Sequence, residues 1–224
     1  MVRHDRSLVT QQSLNHFMVM KTLLISTLLI SLNAGAQNKP VPPAKPAPVN
    51  PAIALAKAKF ESVKAEAAKG DADAATLHEL GDLYYAGKGI ARNYAEAYKA
   101  YLAAAEKGNV ISESTVAWMC RNGQGVARDY KKSMEWYTKA AEKGHVESQL
   151  GLAELYYNQV GLPARDYSAA YKWYLIADRL GSKVARAFLP RMQQTVLKEP
   201  KVTAAQKAAA EKAAADWLAA YAKK

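Results

Sequence analysis

Cysteine is almost absent from this chain of 224 residues, because Cys120 is the only one. A single cysteine excludes a disulfide within one chain, and it excludes the Cys-x-x-Cys motifs of zinc sites and redox centres. Cys120 lies on an apolar helical stripe. We therefore interpret it as a small buried hydrophobic residue rather than as a reactive thiol.

Motifs of common catalytic and nucleotide-binding sites are also absent. The chain contains no Gly-x-Ser-x-Gly, no His-Glu-x-x-His, no Gly-x-x-x-x-Gly-Lys and no Ser-x-x-Lys sequence. Four histidines are present, but His78 and His145 are far apart in sequence, and the other two lie near the amino terminus. We therefore predict no catalytic, cofactor-binding or metal-ligating residues, and we do not expect an enzyme.

Long hydrophobic runs are lacking too, and the best apolar run is short. It extends over residues 22–32, after Lys21, and is followed by the small residues Ala34 and Ala36. A membrane-spanning helix needs roughly 20 apolar residues, whereas a basic residue, a short apolar run and an Ala-x-Ala site are typical of a secretory signal peptide. We predict a signal peptide over residues 1–36, with Met20 as an alternative start and an uncleaved anchor as the alternative interpretation. The expected location is periplasmic or secreted.

Proline is concentrated in one segment and scarce elsewhere. Six of the nine prolines lie in residues 37–51, which we predict to be an extended linker. The rest of the chain is rich in alanine, and no stretch alternates apolar and polar residues over the length of a strand. This composition favours an all-α fold.

A pattern of Gly, Tyr, Trp and Ala recurs three times along the chain, over about residues 71–108, 109–144 and 145–181. In each copy an apolar helical stripe is followed by a glycine-containing loop and a second stripe. In the middle copy the second stripe has helical spacing and consists of Tyr130, Ser133, Met134, Tyr137 and Ala140. Periods of this length are typical of stacked helical hairpins.

At these residues the chain resembles the Sel1-like repeat proteins, relatives of the tetratricopeptide repeat. The middle copy carries the resemblance through its loop, residues 123–126 with the sequence Gly-Gln-Gly-Val, and through Asp129, Trp136 and Tyr137. The first copy departs by having Ala100 in place of the Trp, and the third has Gln159 in place of the first loop Gly. The resemblance implies a right-handed α-solenoid of stacked helical hairpins.

The repeats divide the chain into four predicted regions. The signal peptide and the linker precede a repeat domain over residues 52–199, and residues 200–224 form a capping helix, as the ends of solenoids require. The helix that starts at Ala52 ends with the same residues as the repeats do. We interpret it as a half-repeat that caps the amino-terminal end of the stack.

The resemblance also assigns a binding surface, because in such stacks the first helix of each hairpin lines the concave face. The residues predicted there by register are His78, Asp82, Tyr85, Ser114, Trp118, Arg121, Asn122, Glu154, Tyr157 and Asn158. We expect Trp118 and Arg121 to present a flat apolar surface beside a planar cation, with Tyr85 and Tyr157 on either side. The alternative is that the aromatic residues pack against neighbouring repeats.

The net charge constrains the partner. The whole chain has a formal charge of +11, and without residues 1–36 it retains 28 basic and 19 acidic side chains. Such a charge favours an anionic partner, such as an acidic protein segment, a lipid head group or a cell-wall polymer, and nucleic acid is not expected for an exported chain.

Three functions remain open. The resemblance favours a monomeric, non-enzymatic scaffold that binds a protein or peptide segment without a cofactor and without a membrane span after cleavage. A hydrolase related to the β-lactamase-like, cysteine-rich members of the family is the second, although this chain lacks the two cysteines that those members have in each repeat. A structural tether that acts through the Pro-rich segment is the third.

Overall fold

The computed structural model describes residues 50–198 and 203–223, and this part of the chain contains α-helices and no strand. The predicted signal peptide and residues 37–49 of the predicted linker lie outside it. The helices are α1 (Pro51–Ala67), α2 (Ala74–Ala86), α3 (Tyr94–Glu106), α4 (Val110–Asn122), α5 (Tyr130–Glu142), α6 (Val146–Asn158), α7 (Tyr167–Arg179), α8 (Lys183–Lys198) and α9 (Ala204–Tyr221).

Three helical hairpins form the centre of the fold. They are α2 with α3, α4 with α5 and α6 with α7, and each of these helices has 13 residues. Each hairpin packs against the next one along the chain. The described residues therefore form an all-α solenoid, as the repeated pattern and the resemblance predict.

The second helix of each hairpin begins at the residue that the sequence indicates. The side chains of Asn93, Asp129 and Asp166 accept hydrogen bonds from backbone amides three residues later, at 3.2, 3.0 and 2.8 Å. These amides have no partner within the helix, so the caps satisfy them. These three residues are therefore the amino-terminal caps of the second helices.

The loop inside each hairpin starts with a residue in the left-handed conformation. Gly87 and Gly123 have a φ of +69°, and Gln159 takes the same position in the third loop with a φ of +60°. The Gln159 side chain donates a hydrogen bond to the carbonyl oxygen of Pro163 at 3.0 Å. The third loop thus keeps this left-handed residue although it lacks the glycine.

The second glycine of the loop controls how the hairpins stack. A Cβ atom on Gly125 would lie 2.1 Å from the carbonyl oxygen of Tyr94, the first residue of α3, and one on Gly89 would lie 2.4 Å from the backbone nitrogen of Lys57 in α1. The α1 helix therefore has the place that the second helix of a preceding hairpin would have. Its Phe60 ring packs edge-on against Tyr84 of α2 at 5.1 Å, so α1 caps the stack as predicted.

The carboxyl-terminal end of the stack is covered by α8 and α9, which both pack on α7. Phe188 of α8 contacts the Tyr174 ring at 4.8 Å, and Trp217 of α9 contacts Trp173 at 6.3 Å. The fully buried residues of α9 are Ala210 and Ala214, because their small side chains allow a close approach to α7. Trp217 and Leu218 are half-buried and pack against the same core.

Candidate functional site

The first helices of the three hairpins line one open cleft of about 620 Å³. Two tyrosines of the second helices, Tyr101 and Tyr137, also contribute to it. We call this surface the groove, and its lining residues are Asp82, Tyr85, Tyr101, Ser114, Thr115, Trp118, Arg121, Tyr137, Glu147, Leu150, Gly151 and Glu154.

Trp118 is the large apolar group of the groove that solvent reaches most. Its relative exposure is 41%, although Val116 and Met119 on the same helix are fully buried. Helix period explains this difference, because α4 buries its opposite face against the neighbouring helices. Tyr85 is half-buried, and its ring contacts the Tyr94 ring at 5.2 Å.

Arg121, the cation that the sequence predicted beside Trp118, forms an ion pair within the fold. Its Nη1 donates a hydrogen bond to Glu154 Oε2 at 2.9 Å, from the next hairpin. Burial opposes the charge of Arg121, but the hydrogen bond and the negative charge of Glu154 outweigh it and raise the pKa of the guanidinium. The guanidinium therefore links α4 to α6 and is already neutralised by a carboxylate.

Two other carboxylates, those of Asp82 and Glu147, line the groove. Asp82 accepts a hydrogen bond from the Tyr101 hydroxyl at 2.7 Å and lies 3.7 Å from His78 Nε2, and its side chain is 58% exposed. The Glu147 side chain is 75% exposed and lies 3.4 Å from His145 Nε2. The groove thus combines one paired cation with three acidic groups.

The structure brings six of the ten predicted residues to the groove, namely Asp82, Tyr85, Ser114, Trp118, Arg121 and Glu154. Tyr157 is not among its lining residues, because its ring packs edge-on against Tyr167 at 5.5 Å and against Phe188 of α8 at 5.3 Å. The prediction that Tyr157 shares one contiguous site with Tyr85, Trp118 and Arg121 is therefore wrong.

Three further predicted residues do not line the groove either. His78 contacts the Tyr101 ring at 5.4 Å and shares a hydrogen bond with Ser112. Asn122 donates a hydrogen bond to the carbonyl oxygen of Trp118 at 2.8 Å, and Asn158 is exposed as the last residue of α6.

Five groove residues were not predicted from the sequence to lie on the binding face, namely Tyr101, Thr115, Tyr137, Glu147 and Gly151. Glu147, Leu150 and Glu154 are spaced three and four residues apart on α6, so the helix period could have placed Glu147 on the same face. Tyr101 and Tyr137 were assigned only to the inward stripes of the second helices. Their rings reach the groove between the first helices, and no pattern in one helix indicates this.

Ser112, His78 and Asp82 form a series that resembles the components of a hydrolase triad. The Ser112 Oγ lies 2.8 Å from His78 Nδ1, and Asp82 Oδ2 lies 3.7 Å from the other ring nitrogen. Ser112 is fully buried and does not line the groove, and a nucleophile must reach a substrate carbonyl. Ser112 is therefore a buried polar contact of His78 between the first two hairpins, and Asp82 lies at the exposed end of the series.

Cys120 is fully buried, and its Sγ lies 3.7 Å from the Tyr98 hydroxyl. The buried position that the sequence predicted is therefore confirmed, and burial raises the pKa of the thiol. Within the described residues, no group of three His, Cys, Asp or Glu side chains is arranged to hold a metal ion. No helix in the same residues combines the length and apolar character needed to cross a bilayer.

Comparison with known proteins reveals the same repeat. The Sel1 repeat model matches residues 74–109, 116–145 and 146–182. The chain is similar to a Sel1 repeat protein from Oxalobacter formigenes, with 27% identity over 61% of this chain and 59% of the other, and a TM-score of 0.51.

A second solved structure is c5321, described as a protective antigen of uropathogenic Escherichia coli strains that displays an SLR fold. It shows 30% identity over 74% of this chain and 34% of its own, with a TM-score of 0.57. The aligned region spans less than two thirds of either structure. No curated protein matches the chain.

Proposed function

This chain is a Sel1-like repeat protein with three repeats, and we propose that it is an exported, non-enzymatic scaffold that binds a segment of a partner protein in the groove. Sel1 repeats generally mediate protein–protein interaction. The proposal assigns that role here to one surface, the face formed by α2, α4 and α6.

The main support for this proposal is the exposure of Trp118 in the groove. The described large hydrophobic residues that are exposed are Ile53, Leu55, Ile111, Trp118 and Val184, and Trp118 is the one that lines a cleft built from all three hairpins. Exposed aromatic side chains in concave, preformed sites are the residues that most often dominate binding energy in protein interfaces. The hydrogen bond between Arg121 and Glu154 supports the same role, since it stiffens the groove before a partner arrives.

Export is supported by the amino-terminal sequence. The short apolar run and the Ala34-x-Ala36 site favour cleavage after Ala36 and delivery to the periplasm or the medium. Amino-terminal sequencing of the chain from the envelope fraction checks this, and an intact chain that starts at Met1 or Met20 in the membrane would contradict it.

Site-specific photo-crosslinking in the native host tests the groove. A photoreactive residue is placed at Thr115, which lines the groove, and a matched one at Lys131, which is exposed on α5 outside it. We expect a discrete adduct from position 115 and none from position 131. Trp118→Ala should remove the adduct, because loss of an interface anchor weakens binding by about 2 kcal/mol or more.

Thermal unfolding of Trp118→Ala is the control. Since the side chain is 41% exposed, the variant should melt close to the wild-type temperature. Unfolding of this variant would show that Trp118 belongs to the core. Equal adducts from both positions would contradict the assignment of partner binding to the groove. An adduct from position 115 that survives in Trp118→Ala would show that Trp118 does not anchor the partner.

A further inference from the structure

The charge of the groove helices is opposite to the charge of the whole chain. The sequences of α2, α4 and α6 contain five carboxylates and one guanidinium, a formal charge of −4, and no lysine. The chain as a whole has a formal charge of +11. The basic residues are therefore concentrated on other parts of the molecule.

Two of the five carboxylates are neutralised outside the groove. Glu79 pairs with Lys59 of α1 at 2.6 Å, and the buried Glu113 pairs with Lys143 at 2.6 Å. The other three are Asp82, Glu147 and Glu154, and they line the groove, where Arg121 accompanies Glu154. Asp82 contacts the Tyr101 hydroxyl and the His78 imidazole, and Glu147 contacts the His145 imidazole. The groove consequently has an excess of negative charge at solvent-accessible positions.

Two other tryptophans of this chain have a lysine ammonium group over the indole ring. Lys139 Nζ lies 3.9 Å from the centroid of the Trp136 ring, and Lys172 Nζ lies 4.4 Å from that of Trp173. Among the described residues, no lysine or arginine lies over Trp118. Its exposed face therefore remains available to a cation from outside, with Asp82 and Glu147 lining the same cleft.

We propose that the groove selects a partner segment that places a lysine or arginine side chain on Trp118, between the carboxylates of Asp82 and Glu147. This inference rests on the proposed function and adds the chemistry of the partner to it. An indole face attracts a cation through its quadrupole, and carboxylates complete the recognition by charge. Acidic segments, which the net charge of the chain favours, are repelled from this face.

A peptide selection tests the inference. A randomised decapeptide library on phage is selected on the full chain at low salt, after peptides that also bind Trp118→Ala have been removed. We expect lysine or arginine to be enriched at one position of the remaining peptides. In the best peptide, replacing that lysine by the uncharged norleucine should weaken binding.

Single neutral variants of the protein give the quantitative test. Asp82→Asn and Glu147→Gln should each weaken the lysine peptide about two- to five-fold, as expected for partly exposed charge pairs. The norleucine peptide should not distinguish these variants from the wild type, and high salt should abolish the difference. Glu106→Gln, which removes an exposed carboxylate of α3 outside the groove, should bind both peptides as the wild type does.

The outcomes separate this inference from the function on which it depends. Peptides that need Trp118 but contain acidic residues, or no charge, would overturn the cationic specificity and leave the scaffold function standing. A lysine peptide that Asp82→Asn and Glu147→Gln bind as tightly as the wild type does would also overturn it. Absence of any Trp118-dependent peptide, together with absence of a crosslink at position 115, would overturn both.

Discussion

One tyrosine in each second helix supports the whole stack. Tyr101, Tyr137 and Tyr174 have equivalent positions in α3, α5 and α7, and their relative exposures are 3%, 4% and 4%. A glycine makes room for the first two rings. A Cβ atom on Gly81 would lie 2.5 Å from the Tyr101 ring, and one on Gly151 would lie 2.8 Å from the Tyr137 ring. Each of these two tyrosines therefore fills a gap that a glycine on a first helix leaves for it.

We expect Tyr137→Ala to destabilise the fold by roughly 3 to 5 kcal/mol, the usual cost of truncating a core aromatic residue. Lys139→Ala on the same helix should cost no more than about 1 kcal/mol, because Lys139 is exposed and its contact is with the Trp136 ring. Urea unfolding followed by circular dichroism measures both. Equal midpoints for the two variants would show that the buried face of α5 is assigned wrongly.

Inward residues of single helices were predictable, because the helix period alone determines which side chains share a face. Tyr137 and Cys120 are examples. His78 and Tyr157 were not predictable in this way, since their positions depend on Ser112 of α4 and on Phe188 of α8. In a regular stack every repeat has the same neighbours, whereas Tyr157 of the third repeat contacts Phe188 of the covering helix α8.

Among the structural elements, the loop glycines have the strictest requirement. Gly125 has a φ of +73° and approaches the Tyr94 backbone, whereas Gly181 has a φ of +97° with nothing within 4 Å of the position of a Cβ. Both positions require a left-handed backbone, but only Gly125 also has no room for a side chain. Comparing substitutions at Gly125 and Gly181 therefore distinguishes the cost of backbone strain from the cost of steric overlap.

Gly181→Ala should cost about 1 to 2 kcal/mol, which is the penalty of a left-handed alanine. Gly125→Ala should cost at least about 2 kcal/mol more, because its Cβ overlaps a backbone that cannot rotate away. Chemical unfolding of the two variants measures the difference. Similar losses would mean that the hairpins can separate slightly at this loop without cost.

Capping residues and glycines mark the ends of the repeat helices in the sequence. The helix that follows the linker begins at Pro51 rather than at Ala52, since proline fits the first turn of a helix, where no backbone partner is needed. The left-handed start of the third loop was not predictable. Gln159 adopts a conformation that the sequence alone would assign to glycine, and its hydrogen bond to Pro163 accompanies it.

At the scale of the whole molecule, buried tyrosines make the fold less stable at alkaline pH. Burial raises the pKa of six tyrosines above the usual value of 10.0, and it raises the pKa of Tyr174 to about 12. The other five are Tyr98, Tyr101, Tyr137, Tyr156 and Tyr171. In the unfolded chain these hydroxyls lose their protons first, so the stability that they contribute is complete below pH 10 and falls above it.

The free energy of unfolding should therefore fall steeply between about pH 10 and pH 12. Urea unfolding at pH 8, 10 and 11 measures this decrease. A Tyr174→Phe variant should show a smaller decrease than the wild type over the same range, which separates the tyrosines from the lysines that titrate nearby. A free energy that stays constant from pH 8 to pH 11 would contradict the assignment of these residues to the core.

The solenoid could be predicted from three copies of one motif, because each copy needs a neighbour to bury its apolar faces. The negative charge of the groove could not be predicted in this way. Net charge is a sum over the chain, whereas Asp82, Glu147 and Glu154 come together only when three hairpins stack. For the same reason, the pairing of Arg121 with Glu154 could not be predicted from a single repeat.

The third hairpin depends on a contact with a helix that is distant in the chain. Helix α9 lies along α7, where Trp217 covers Trp173 and Tyr171 donates a hydrogen bond to Glu211, and it reaches back to Gly144 through Tyr221. Each of the first two hairpins is covered by the hairpin that follows it directly in the chain. The third keeps Trp173 uncovered until α9, which lies beyond α8 in the chain, has packed on it. Because contacts between distant segments form slowly, we expect the third hairpin to be the last of the three to be protected during folding.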